Sequence, residues 1–276
     1  MIAGWAWHER LFLLLGSGVA LAAALKLGPA GLTLSVCFMV LSYGIMLALT
    51  RRGSRVRLLS NYLAAWAFYA GSSHVVTSLG IPLWHKELLG LDAILFGQSP
   101  ALTWQGICRP WMYEVLSLGY LSYHVYLHWA LLDALWRDDS WRSQISTRLF
   151  TAFAVGLTGY LLAPAAPPSA AFPELFHLPL QGGFLTGWNE QVNATLAAKY
   201  DAFPSLHVLI TLTLLAWDWS RFRKRFWTML LPSMLMLAAT LVLRLHYAVD
   251  LLASLALFMI ILLCHARPPL RRSMGS

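Results

Sequence analysis

The chain has 276 residues, 58% of them hydrophobic and only 12% charged, with thirteen tryptophans. That balance excludes an ordinary soluble domain and describes a polytopic membrane protein. The net charge of +8 would point to nucleic acid in a soluble protein, but here it follows topology, and Cys37, Cys108 and Cys264 have neither disulfide-framework nor zinc-site spacing.

A bilayer core takes about 20 apolar residues of helix. Eight runs approach that length, near 11–27, 31–49, 58–80, 111–136, 146–164, 204–219, 226–244 and 247–265. The expected fold is therefore all-α, a transmembrane bundle of about eight spans with interfacial helices in its extracytoplasmic loops. The first run also fits a signal-peptide core, with Arg10 before it and Ala22-Ala23-Ala24 near its end, and an uncleaved anchor is preferred. With the N-terminus cytoplasmic, fifteen of the twenty basic residues fall inside, leaving Lys26, Lys86, Arg109, Lys199 and Arg244 outside. The positive-inside rule favours that orientation, with both termini cytoplasmic, and it removes nucleic acid as a partner.

In chain order, residues 1–57 read as an N-terminal transmembrane hairpin that ends in the basic turn Arg51–Arg57. Residues 58–265 are expected to form the main membrane domain, which would hold any site, and 266–276 a cytoplasmic tail. The third span carries Ser72, Ser73 and His74 near its outer end, where packing is the expected role of the histidine. Residues 81–110, with Pro82, Gly97, Pro100, Pro110, Trp84 and Trp104, read as short helices in the outer interface. Within them the stretch Gly90–Pro100 stands out without chemistry of its own.

The fourth span holds Tyr120, Tyr123, His124 and His128, and interhelical hydrogen bonding explains the histidine pair better than a metal, since no carboxylate has matching spacing. Asp133, Asp138 and Asp139 near the inner turn are expected to pair with arginines. The fifth span stops at Pro164-Ala-Ala-Pro-Pro168. The loop from 165 to 203, with Phe172, Phe176, Leu180, Phe184 and Trp188, is long enough to be a lid lying on the membrane. Its Asn193-Ala-Thr195 matches a glycosylation sequon, a frequent chance occurrence.

The centre of the sequence is Tyr200-Asp-Ala-Phe-Pro-Ser-Leu-His207, answered by Arg244-Leu-His-Tyr-Ala-Val-Asp250. Pro204 suits a first helical turn, where unpaired backbone donors and the helix dipole favour an anion such as phosphate. Ser205 and the Leu206 position belong to that phosphate-binding end, and Lys199 and Arg244 supply positive charge. His246 and Asp250, four residues apart, share a helical face on which the carboxylate holds the imidazole in one tautomer. Ionisable groups at membrane depth are costly and usually functional. The chemistry expected is phosphoryl transfer, with His246 as nucleophile, Asp250 orienting it and His207 as general acid and base, without a metal or other cofactor.

At these residues the chain resembles the type 2 phosphatidic acid phosphatase (PAP2) superfamily, and within it the inositol phosphorylceramide synthase branch. Pro204-Ser-Leu-His207 matches the family's second motif, and Arg244 with His246 to Asp250 its third. The resemblance implies the same roles for His207, His246 and Asp250, and it extends over about 58–265 through Gly90–Pro100 and the tyrosine-rich fourth span. The family's first motif, a lysine with Arg-Pro six residues on, is missing: the equivalent place reads Pro164–Pro168, and Lys199 is the candidate replacement. Arg109-Pro110 has the dipeptide, but before the wrong span and with Leu102 where the lysine belongs. The expected function is a phospho-head-group transferase acting on membrane lipids at the extracytoplasmic face. A phosphatase of lipid or polyprenyl phosphates is the enzymatic alternative, and a transporter or scaffold with a degenerate site the non-enzymatic one.

Overall fold

The structure is a computed structural model that describes residues 4–29 and 31–265. The tail 266–276, assigned above to the cytoplasm, lies outside the described residues. These contain twelve α-helices, one 3-10 turn and no strand. In order they are α1 (Trp7–Leu27), α2 (Leu32–Leu49), α3 (Arg55–Leu79), the short α4 (His85–Phe96) and α5 (Pro100–Thr103), and α6 (Pro110–Leu135). There follow α7 (Asp139–Leu162), the short α8 (Pro168–Ala171), α9 (Phe184–Leu196), α10 (Leu206–Arg221), α11 (Arg223–Val242) and α12 (Ala248–His265).

The eight apolar runs coincide with α1, α2, α3, α6, α7, α10, α11 and α12. Only α1, α2, α7 and α11 are long and apolar enough by themselves to cross a membrane, and α12 carries a shorter apolar stretch. α3 and α6 are longer, at 25 and 26 residues, but more polar, because they bury Asn61, Ser72, Ser117, Tyr120 and Tyr123 inside the bundle. α1 and α2 instead turn apolar side chains outward: Leu25 is 80% exposed and Phe38 75%. So much uncovered apolar surface is stable only against lipid.

Local sequence sets the helix ends. Ser54 caps α3 by accepting from Arg57 N at 3.2 Å, and Asp138 caps α7 by accepting from Trp141 N at 2.9 Å. Pro110 occupies the first turn of α6, and Gly80, left-handed at φ 57°, ends α3. α6 and α11 cross closely at Gly119, where a Cβ would meet the backbone of Leu235 and Met236.

α10 runs through the middle, touching α6, α7, α11 and α12. Its C-terminal end is fixed by the fully buried Asp218, which accepts from Arg225 at 2.6 and 2.7 Å and from the Tyr126 hydroxyl at 2.8 Å. Of the three carboxylates expected to pair with arginines, Asp133 does so with Arg137 at 2.9 Å and Asp139 with Arg51 at 3.1 Å, whereas Asp138 is used as the cap of α7. His128 bonds α6 to α3: its Nδ1–H donates to the His124 carbonyl at 2.7 Å, so its Nε2 accepts from Tyr62 at 2.7 Å. His74 lines a separate apolar cleft with residues of α1, α2 and α7.

Candidate active site

Three segments distant in sequence converge at one end of α10. Gly156 and Gly159 on α7 have no side chain where Leu206 and Pro204 lie, and a Cβ at either would collide with them. The 200–206 segment therefore lies flush on α7. Ala202 N donates to the Ala165 carbonyl at 3.0 Å, which sets the proline-rich exit of α7 alongside it. The start of α12 joins through the Tyr247 hydroxyl, 3.1 Å from the Ala166 carbonyl, and through Ser254, whose hydroxyl donates to the Ser205 carbonyl at 3.0 Å.

His246 sits at the junction and is 3% exposed. Its Nδ1 lies 2.8 Å from the Ala202 carbonyl and 3.2 Å from the Asp250 carboxylate, both of which only accept. Nδ1 therefore carries the proton, which leaves a lone pair on Nε2. The Ser205 hydroxyl meets that nitrogen at 3.1 Å and, as the cap of α10, also accepts from Val208 N. Asp250 divides its role, for the oxygen facing His246 accepts Tyr247 N at 2.9 Å while its other oxygen has no partner among the described residues.

His207 faces His246 with ring centroids 5.8 Å apart. Tyr120 and Tyr123 hold the His207 ring at 4.7 and 4.6 Å, and its Nδ1 is buried without a hydrogen-bond partner among the described residues. Four of the sequence-selected residues, Ser205, His207, His246 and Asp250, thus share one small volume.

The other three are placed differently. Leu206 packs on Gly156, with its backbone N–H toward the Tyr160 hydroxyl. Lys199 is exposed and sets its ammonium over the Tyr200 ring at 5.4 Å, making no contact with either imidazole among the described residues. Arg244 has φ of 62°, a left-handed conformation that costs a residue with a side chain on the order of 1–3 kcal/mol. The turn is held by Ser169, whose N–H and hydroxyl both donate to the Arg244 carbonyl. The Arg244 guanidinium donates to the Leu178 carbonyl and covers the Phe176 ring at 4.8 Å, and its Nε has no partner among the described residues. Its charge is tied to the 165–203 loop with one donor still open. Burial pushes its pKa down, while Tyr113 and Glu190 pull it back up.

That loop folds over the site as α8, the 3-10 turn and α9. The Glu114 carboxylate on α6 accepts the N–H groups of Gly183, Leu185 and Thr186 and the Thr186 hydroxyl, which fastens the first turn of α9. Beneath α9, beside His207, lies a narrow, partly open cleft of about 60 Å³. Tyr69, Tyr120, Tyr123, His124 and Tyr160 line it together with Trp66, Leu127 and Phe153, and Asn193 closes it by accepting from Tyr120 at 3.2 Å.

Several participants were not legible in the sequence. The Ala202 carbonyl is the nearer acceptor of the His246 proton, and a backbone group leaves no residue-type signal. Asp201 is buried and accepts from the Tyr69 hydroxyl at 2.6 Å; burial pushes its pKa up, and Tyr69 and His246 pull it back. Its position beside the histidine motif was the available hint. Asp92, far away in the chain, reaches the start of α12 and is taken up below.

Helices able to cross a membrane, with a histidine pair, a carboxylate and a helix N-terminus gathered at one end of the bundle, define a membrane protein with a site suited to phosphate chemistry. The family model described as the PAP2 superfamily matches residues 86–264, more than half of the chain. The chain belongs to the PAP2 superfamily. No curated relative and no solved structure matches it.

Proposed function

We propose that the protein is a lipid phosphotransferase that moves a phospho-head-group between membrane lipids through a phosphohistidine, in the manner of the inositol phosphorylceramide synthase branch. The observation that carries this is the state of His246: Nδ1 is committed to Ala202 and Asp250, so Nε2 is the basic nitrogen, in a ring whose centroid is 5.8 Å from that of His207. Superfamily membership supports phosphatase or phosphotransferase chemistry in general.

In the first half-reaction the Ser205 hydroxyl turns from Nε2 to a phosphate oxygen and Nε2 attacks phosphorus. The bond from phosphorus to the leaving oxygen breaks with its electron pair on oxygen, and His207 supplies the proton. In the second, His207 takes the proton of the acceptor hydroxyl, whose oxygen attacks phosphorus and returns the N–P electron pair to Nε2. Asp250 stabilises the charge on His246 while the nitrogen is phosphorylated. Ser205, the N-terminus of α10 and the open Nε donor of Arg244 are the groups available to the equatorial oxygens, and a donor so placed is worth about 3 kcal/mol. Lys199, at the exposed margin, would act by long-range charge alone. The reaction so written needs no metal.

The cleft beside His207 favours transfer over hydrolysis. It is walled by aromatic and aliphatic side chains and roofed by α9, so it suits the apolar part of a second substrate better than water. The proposed topology has all eight long helices crossing, both termini cytoplasmic and this end of α10 on the extracytoplasmic side.

The test is to incubate the detergent-purified protein with phosphatidylinositol or phosphatidic acid and a long-chain alcohol, with EDTA present, and to analyse the lipids by mass spectrometry. Transfer to the alcohol that persists in EDTA and is lost in His246→Ala supports the reading. Release of free phosphate or inositol phosphate without a transfer product assigns a hydrolase, and turnover that needs metal or survives His246→Ala removes the mechanism.

A further inference from the structure

The stretch Gly90–Pro100, without chemistry in the sequence, brings one carboxylate to the back of the site. Asp92 on α4 is fully buried. Its Oδ2 accepts Ala248 N at 3.1 Å and the Ser99 hydroxyl at 2.6 Å, and its Oδ1 accepts Val249 N at 2.9 Å. Ala248 and Val249 are the first two residues of α12, and the third is Asp250. A helix start leaves its first N–H groups without intrahelical acceptors, and a carboxylate there also opposes the positive end of the dipole.

The donors at this helix start are divided between two carboxylates. Asp92 takes the two N–H groups inside α12, and Asp250 takes only that of Tyr247, just before it, at 2.9 Å. Asp250 is thereby left at 3.2 Å from His246 Nδ1. Were Asp92 absent, Ala248 and Val249 would be buried donors in need of an acceptor, and Asp250 is the carboxylate of their own turn. Asp92 also fills this helix N-terminus from behind, while α10 is capped by its own Ser205 on the side of the imidazoles. Of the two helix starts that meet here, one is plugged by a carboxylate of the protein and the other faces the histidines.

We infer that Asp92 is a positioning residue for the nucleophile: by holding the first turn of α12 it keeps Asp250 on His246, where the carboxylate and the nearer Ala202 carbonyl together fix the proton on Nδ1. Ser99 in turn fixes Asp92. The gap between α3 and α6 thus contains an outer brace for the catalytic helix, and the Asp and Ser of Gly90–Pro100 are its working parts. This rests on the reading of His246 as nucleophile, so one of its two tests does not depend on turnover.

The first test labels the protein with 15N-histidine in detergent, assigns His246 by its disappearance in His246→Gln, and compares its ring nitrogens in the unsubstituted protein, Asp92→Asn, Asp92→Ala and Ser99→Ala. The unsubstituted protein is expected to show a single Nδ1–H tautomer, and Asp92→Ala a mixture. The second measures turnover per folded molecule with phosphatidic acid or phosphatidylinositol. A misplacement of about 1 Å costs about a hundredfold, so Asp92→Ala is expected to lose about that in kcat with KM changed less than about twofold. Asp92→Asn, which keeps one acceptor, should lose about tenfold, and Ser99→Ala less than that. If Asp92→Ala, or Asp92→Asn where the alanine variant does not fold, keeps the single tautomer and full turnover per folded molecule, the assignment is overturned, whatever happens to thermal stability. Absence of turnover in the unsubstituted protein would remove the phosphotransfer reading, and the tautomer comparison would still decide the role of Asp92.

Discussion

Two of the buried clusters of ionisable groups in this bundle are built to opposite rules. In the first, near the start of α1, the Glu9 carboxylate receives Arg57 at 2.6 and 2.7 Å, and Arg57 gives its other end to the carbonyls of Leu47 and Thr50 at 2.8 and 2.7 Å. Glu9 also accepts Ala6 N at 2.7 Å, and Asn61 joins Tyr43 to Ser146 across the same space. In the second, around His246, polar atoms are left over: His207 Nδ1, one oxygen of Asp250 and the Nε of Arg244 have no partners among the described residues. A buried group without a partner costs about 1–3 kcal/mol, so a cluster that keeps three of them is arranged for something that arrives later. The pairing of the charged groups, carboxylate to guanidinium in the first cluster and carboxylate to imidazole with an open oxygen in the second, separates the brace of the N-terminal hairpin from the site.

The comparison predicts that substitutions in the two clusters have different currencies, activity in one and stability in the other. The largest effect is expected from His207→Ala, which should lower lipid turnover about a hundredfold or more, the usual contribution of a general acid and base, with little change in the thermal midpoint. Activity retained within a fewfold would show that the aromatic cage around His207 is packing. Glu9→Ala should do the reverse, leaving Arg57 buried and unpaired at a cost of about 3–5 kcal/mol, read as a large drop in the thermal midpoint in detergent with turnover per folded molecule unchanged. The paired replacement Glu9→Leu with Arg57→Met should recover most of that loss, since no charge then remains. Ser205→Ala is the mildest: one hydrogen bond of roughly 1 kcal/mol corresponds to a rate loss of about fivefold to tenfold, with a small loss of stability from the α10 cap. A loss in stability alone would place Ser205 with the structural cluster.

Much of the architecture was legible because hydropathy is a local property. Eight apolar runs gave eight helices, and the prolines and glycines at 80–110 and 164–168 gave breaks where the structure has them. The assignment as eight crossings went further than length and composition support, since α3, α6 and α10 owe their polar residues to neighbours they face inside the bundle. The histidine motif and the His-x3-Asp spacing were legible for a similar reason, both being set within one helical turn. Arg244 was selected as a permanent charge for an anion site, and its side chain is turned toward Leu178 and Phe176 by a left-handed backbone that no residue pattern announces. Lys199 was selected by its sign of charge alone, and the structure leaves it on the exterior beside Tyr200.

By itself the sequence determined the helical class, the ends of the long helices and the pairing of His246 with Asp250, because apolar runs, caps and four-residue spacing act over a turn or a span of a single helix. Only the tertiary structure decided that Ser205 and the Ala202 carbonyl would fix the two nitrogens of His246, that Asp92 would cap the helix carrying its partner, and that His207 would stand between that imidazole and an aromatic cleft. Those contacts join segments 41 to 157 positions apart. They depend on how glycine-faced helices pack, which is a property of the whole bundle rather than of any window of residues.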